Sequence, residues 1–144
     1  IIMHIKGRPK DMQQNPTYDA LIPEIMDYLR ISIRLAHKFG ISDEKIIIDP
    51  GIGFGKTFDH NLDIIKNLKE FRLLGRPIAI GVSRKAFIGR ILGDAPPNER
   101  LEGTAAAVAI SIFNGANIVR VHDVKEMAKV ARVADAIGRG YLLQ

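Results

Sequence analysis

The octapeptide Asp49-Pro50-Gly51-Ile52-Gly53-Phe54-Gly55-Lys56 follows directly on Ile46-Ile47-Ile48. That apolar, β-branched run is too short for a helix and reads as a buried strand, which places the Asp49 carboxylate at the strand's end. Pro50 and the three glycines then stop any ladder. Glycine tolerates positive φ and lets backbone approach a ligand closely, so strand, acid and G-x-G-x-G together describe a binding loop at the carboxyl end of a strand. An ordinary glycine turn would show the same letters, and the rest of the chain has to decide between the two.

On the amino-terminal side, Ile1-Ile2-Met3-His4-Ile5 reads as another buried strand. Lys6 to Pro16 is polar, broken by Gly7, Pro9 and Pro16, and has the length of a mobile loop. From about Asp19 to Phe39, Leu21, Ile25, Leu29, Ile33 and Ala36 recur at helical spacing, and Gly40 supplies the stop. On the carboxyl side, a helix starts near Thr57 with Leu62, Ile65, Leu68 and Phe71 on its apolar face, and Gly75 ends it. Pro77 to Val82 is a third strand that delivers Ser83-Arg84-Lys85 at its end. Gly93 to Pro97 breaks the chain before an alanine-rich helix from about Thr104 to Phe113, closed by Asn114-Gly115. The fourth strand, Asn117 to Val121, puts Arg120 and His122 on one face at period two. Asp123 with Glu126 has the spacing of a capping box for a last helix whose stripe is Met127, Val130, Ala131, Ala134 and Ile137.

Strand followed by helix, four times over, is the order of a parallel α/β protein. In open sheets and in (β/α) barrels alike, ligands bind at the carboxyl ends of the strands, so Asp49, Ser83, Lys85, Arg120 and His122 are expected to share one surface.

The 144 residues suffice for one domain with a core, and 47% hydrophobic with 26% charged residues is an ordinary globular composition. There is no cysteine, which removes disulfides and thiolate metal sites and points to a reducing cytoplasm. No apolar run approaches the length of a bilayer span. The net charge of +5 favours anionic partners. Since the basic residues are scattered and lack an interleaved aromatic ladder, a nucleic acid is not the expected one.

A carboxylate at the end of a buried strand is costly to desolvate unless a partner arrives with donors. An amidine-like pair of N–H groups would serve Asp49, as would Lys85 in a structural ion pair. Arg120 and His122 form a plausible anion clamp, a planar fork beside an imidazole, and a phosphate site after the last two strands recurs in (β/α)₈ barrels. His4 is expected to be packed locally, and His37 and His60 to face solvent from their helices. No His or acid pair shows metal-ligand spacing, although a magnesium ion held mainly by diphosphate would not need one. The glycine segment lacks the ending and downstream acid of a dinucleotide fingerprint and is not a Walker loop.

Five motifs taken in order, Met3-His4 with Gly7, Asp49 to Lys56, Ser83-Arg84-Lys85, Arg100-Leu101-Glu102-Gly103-Thr104-Ala105-Ala106, and Arg120-Val121-His122-Asp123-Val124, resemble the dihydropteroate synthases over nearly the whole chain. The resemblance implies that residues 1–144 are the second half of a (β/α)₈ TIM barrel, its last four parallel strand-helix units, and that the first half lies outside this chain. It implies condensation of 4-aminobenzoate with 7,8-dihydropterin-6-ylmethyl diphosphate, giving dihydropteroate and pyrophosphate. Asp49 would hold the pterin N–H groups and Lys85 would contact pterin and aminobenzoate. Arg120 would lie over the pterin and, with His122 and Ser83, face the diphosphate. Met3 and Gly81 would line the pterin pocket; Gly53 and Phe54 would border the aminobenzoate. Lys85, Arg120 and His122 are the implied catalytic groups. Magnesium is the implied cofactor, its protein ligand expected in the absent half and none in this chain. A homodimer of the complete protein and sensitivity to sulfonamides are implied as well. Ala86 departs from the pattern, because many members carry serine there. Without its first half the barrel is expected to form an incomplete active site and to expose sheet edges and apolar surface. A pterin-binding methyltransferase barrel and a non-catalytic, anion-binding half barrel remain as alternatives.

Overall fold

The computed structural model describes residues 1–140. Its strands are β1 (Ile2–Met3), β2 (Ile48–Asp49), β3 (Ala79–Ile80) and β4 (Ile118–Val119), all parallel where they pair. Ile2 registers with Ile48 and Met3 with Asp49, while Ala79 registers with Ile118 and Ile80 with Val119. A parallel bridge between Ile48 and Ile78 joins the two pairs, so the strands lie side by side in sequence order. The ladder runs past the two-residue strands: His4 N–H donates to Asp49 O at 2.9 Å, and Arg120 N–H to Ile80 O at 2.9 Å.

Because every strand points the same way, the segments following them emerge on one rim. Helices α1 (Leu21–Lys38), α2 (Phe58–Lys66), α3 (Ala86–Ile91), α4 (Leu101–Phe113) and α5 (Val124–Arg139) return the chain to the opposite side. This is an α/β fold of four parallel strand-helix units, a partial (β/α) barrel. The core is where the isoleucine runs predicted it. Ile48, Ile78, Ile80 and Val82 are buried from the sheet, against Ile25 and Leu29 of α1 and Ile64 of α2. Among the described residues no helix is long and apolar enough to cross a membrane.

Several elements differ from the sequence reading. The helix expected from Thr57 through Phe71 is broken at Asn67 and continues as a 3₁₀ segment, Leu68–Leu74, that still buries Leu68 and Phe71. Thr57 caps α2 in a reciprocal box with His60, so His60 faces Thr57 and the Tyr18 ring rather than solvent. Helix α3 was not foreseen, because six residues are too few to show a period. Helix α4 begins at Leu101, three residues before the expected start. Asp123 makes no side-chain cap on α5; its carboxylate is taken by Arg84 instead. Ile137, placed on the buried stripe, is exposed, unlike Met127 and Ala134.

Candidate active site

The loop after β2 is built around close backbone approach. Gly51 has φ +75°, and a Cβ there would stand 1.9 Å from the His4 carbonyl oxygen; at Gly55, with φ +65°, it would stand 2.2 Å from Lys6 O. No side chain fits either position, which is why the spacing is glycine every second residue. The interior of the loop is held by Lys56, whose amine is buried. Its Nζ lies 2.9 Å from His4 Nδ1, 2.9 Å from Phe54 O and 3.2 Å from Gly51 O. Burial pushes the Lys56 amine down to about 7, opposed by the nearby Asp49 carboxylate, and burial together with Lys56 pushes the His4 imidazole down to about 4. His4 is thus neutral and accepts from Lys56. Asn61 of α2 accepts Gly53 N–H at 2.7 Å, Tyr18 OH donates to Gly55 O at 2.7 Å, and Gln13, in the segment read as mobile, donates to Gly53 O.

Asp49 stands where this loop leaves the sheet. Its Oδ1 accepts Gly51 N–H at 2.7 Å. Among the described residues no lysine or arginine nitrogen is within ion-pair distance of it, so the ion pair with Lys85 does not form. Burial pushes the Asp49 carboxyl above its ordinary pKa, partly offset by the Gly51 N–H and by the field of Arg120, Lys85 and Lys56.

The loop after β3 is held from outside. Arg84 adopts φ 54°. Its N–H donates to Thr104 Oγ1 at 3.0 Å, its carbonyl accepts from Arg100 at 2.9 Å, and its guanidinium pairs with Asp123. This explains the Arg100-to-Ala106 motif, in which Arg100 and Thr104 fix the turn. Gly103 and Gly89 admit Ile88 and Arg100 at distances that exclude a Cβ. The Arg84 guanidinium is thus committed to Asp123, although Arg84 and Lys85 line the same cavity.

Lys85 reaches back across the rim. Its Nζ sits 4.5 Å from the Phe54 ring centroid and 3.2 Å from where a Cβ on Gly53 would be. Burial and Arg120 lower its proton affinity, and Asp49 opposes them. Arg120 lies directly over Gly81, where a Cβ would meet the guanidinium at 2.9 Å. Ser83 Oγ and His122 Nδ1 are 2.8 Å apart. Phe54, Gly81, Ser83, Lys85, Arg120 and His122 line a cavity of about 430 Å³. A second cavity of about 540 Å³ lies on the other side of Lys85, between Gly53, Phe58 and Asn61 and the residues Ala86, Arg90 and Asp94.

The rim thus gathers Asp49, Gly53, Phe54, Gly81, Ser83, Lys85, Arg120 and His122, with Met3 paired to Asp49 in the sheet. Sequence reasoning missed Lys56 and Asn61, for which the one available signal was a lysine closing a glycine run. Among the described residues no three His, Asp or Glu side chains cluster to hold a metal, and Asp49, the carboxylate of this group, sits in a field of three cations. These residues do not form a magnesium site.

A half-buried acid and basic side chains at the strand ends of a partial (β/α) barrel define a class, and the family comparison specifies it. The family model "Pterin binding enzyme" matches residues 1–122, and the chain belongs to that family. Within it, the chain is similar to dihydropteroate synthases. That of Synechocystis sp. is 46% identical over 139 residues, covering 96% of this chain and 48% of its own length. The crystal structure of the Yersinia pestis dihydropteroate synthase with sulfonamide drug complex has a TM-score of 0.93 at 37% identity, covering 96% of this chain and 50% of that one. The Thermus thermophilus enzyme in complex with 4-aminobenzoate has a TM-score of 0.86 at 33% identity, covering 94% of this chain and 55% of that one. The chain spans about half the length of the curated relatives it matches.

Proposed function

We propose that this chain is the second half of a dihydropteroate synthase barrel and carries the groups that grip both ends of the pterin diphosphate. The observation that supports this best is Asp49: a desolvated carboxylate with no ion-pair partner, aimed where a ligand can supply N–H donors. Asp49 binds the donor edge of the dihydropterin, and Met3 and Gly81 give its flat ring room. Arg120, lying over Gly81, covers the ring and reaches the diphosphate, which Ser83 and His122 also face. Phe54 and Gly53 border the 4-aminobenzoate, with Lys85 between the two substrates.

In the reaction the amine nitrogen of 4-aminobenzoate forms a bond to the pterin methylene carbon as the bond from that carbon to the diphosphate oxygen breaks. Pyrophosphate departs with the electron pair, and the amine gives up one proton. Cations already aimed at the leaving oxygens stabilise the charge that develops there, and two cavities meeting at Lys85 bring the reacting atoms together. Magnesium would arrive carried by the diphosphate, with any protein ligand outside this chain. A cytoplasmic homodimer, and sulfonamides competing for the aminobenzoate position, belong to the same reading.

The test uses the full-length protein that contains this chain, assayed for dihydropteroate formation. Asp49→Ala and Lys85→Ala each lose at least about a hundredfold in kcat/KM, as expected when a buried ligand donor or charge loses its partner. Wild-type turnover in either variant contradicts the assignment. A pterin-binding methyltransferase would leave the Arg120 and His122 pair without a task, and it is recognised by folate binding that does not respond to pyrophosphate.

A further inference from the structure

The cavity beyond Lys85 contains a cation with no part in the reaction proposed for this site. Three basic side chains line it, Lys56, Lys85 and Arg90. Lys56 is occupied, since its amine is buried against His4, Gly51 and Phe54. Lys85 stands at the junction with the diphosphate cavity, over the Phe54 ring. Arg90 remains. Its guanidinium is stacked 4.5 Å above the Phe58 ring, and among the described residues it has no hydrogen bond and no carboxylate within ion-pair distance. A planar cation fixed on an aromatic face, with its in-plane donors unclaimed, is a ready fork for a carboxylate. Ala86 lies one turn earlier on α3 and lines the same cavity with only a methyl group, so its side chain offers no competing donor. Asp94 lines the cavity too and would repel an anion placed against it.

On the synthase reading, on which this inference rests, the aminobenzoate amine must point to the leaving group near Arg120. Its carboxylate, at the far end of the ring, then points away from Lys85 into this second cavity. We infer that Arg90 is the specificity-determining residue that binds the carboxylate of the aromatic amine, and that it selects benzoates over uncharged anilines.

The experiment compares wild type, Arg90→Gln, Arg90→Lys and Asp94→Asn in the full-length protein, with 4-aminobenzoate and its neutral counterpart 4-aminobenzamide as acceptors. Arg90→Gln is expected to raise KM for 4-aminobenzoate by about tenfold to a hundredfold, the range for a lost charge-assisted hydrogen bond. KM for the pterin diphosphate and for 4-aminobenzamide stays within about twofold. Arg90→Lys recovers part of the loss, since it keeps the charge without the fork, and Asp94→Asn lowers KM for 4-aminobenzoate. An unchanged KM for 4-aminobenzoate in Arg90→Gln overturns the inference, as does an equal rise for the amide or for the pterin substrate. If wild type forms no dihydropteroate, the synthase reading itself fails and this inference with it.

Discussion

The loops after β2 and β3 each place a lysine-bearing turn at the same rim, yet they are held in opposite ways. The 49–56 loop is braced from within, by a buried amine that meets two carbonyls and an imidazole, and its glycines touch neighbouring backbone. The 83–86 turn is braced from outside, by Arg100, Thr104 and a part-exposed pairing of Arg84 with Asp123. Buried hydrogen bonds and backbone contacts cannot be weakened gradually, whereas part-exposed ion pairs are screened by water and cost little to lose. The first loop should therefore fail as a unit and the second should yield by degrees.

The sharpest test of this contrast is Gly51→Ala. Its methyl would overlap the His4 carbonyl at a residue already at φ +75°, and relief requires parting β1 from β2. A loss of more than about 3 kcal/mol is expected in urea unfolding, or failure to fold, and an unchanged midpoint would mean that the backbone contact is no brace.

Lys56→Met comes next. It leaves Gly51 O, Phe54 O and His4 Nδ1 without their donor but also removes a buried charge, for a net loss of about 1 to 3 kcal/mol near neutral pH. The sign of the pH dependence is definite. The folded amine titrates at about 7 and the unfolded one near its ordinary 10.5, so between those values the unfolded chain binds more protons and wild-type stability rises with pH. Urea midpoints at pH 7 and pH 10 should show that rise in wild type and a flatter profile in Lys56→Met. A profile identical to wild type would mean that Lys56 is not the titrating group.

The smallest effect belongs to Asp123→Asn. Its hydrogen bond with Arg84 holds the carboxyl below its ordinary 3.8, so the pair stabilises the fold above that value and is lost as pH falls through the lower folded value. The variant should unfold almost as wild type does at pH 7, with a shallower loss of stability on acidification. A neutral-pH loss as large as that of Lys56→Met would erase the distinction between the two loops.

The same contrast explains what the sequence could disclose. Asp49, Ser83, Lys85, Arg120 and His122 were legible because each follows an apolar run, and parallel strands carry all such positions to one rim. The braces were not. Lys56 meets His4 from 52 residues away and Arg84 meets Asp123 from 39, and no local pattern encodes such pairs. The Asp123 and Glu126 spacing suggested a cap for that reason: locally the box is available, and a distant guanidinium takes the carboxylate first. Helix α3 was too short to show a period, but its position matters, since it turns Arg90 toward the cavity beside Lys85.

Isothermal titration of the full-length protein with the dihydropterin diphosphate, comparing wild type with Asp49→Asn, tests most directly whether the strand-end carboxylate holds the pterin. A drop in affinity of at least about tenfold is expected in the variant, with binding of free pyrophosphate retained through Arg120 and His122. Equal affinity of the two proteins for the dihydropterin diphosphate would contradict it.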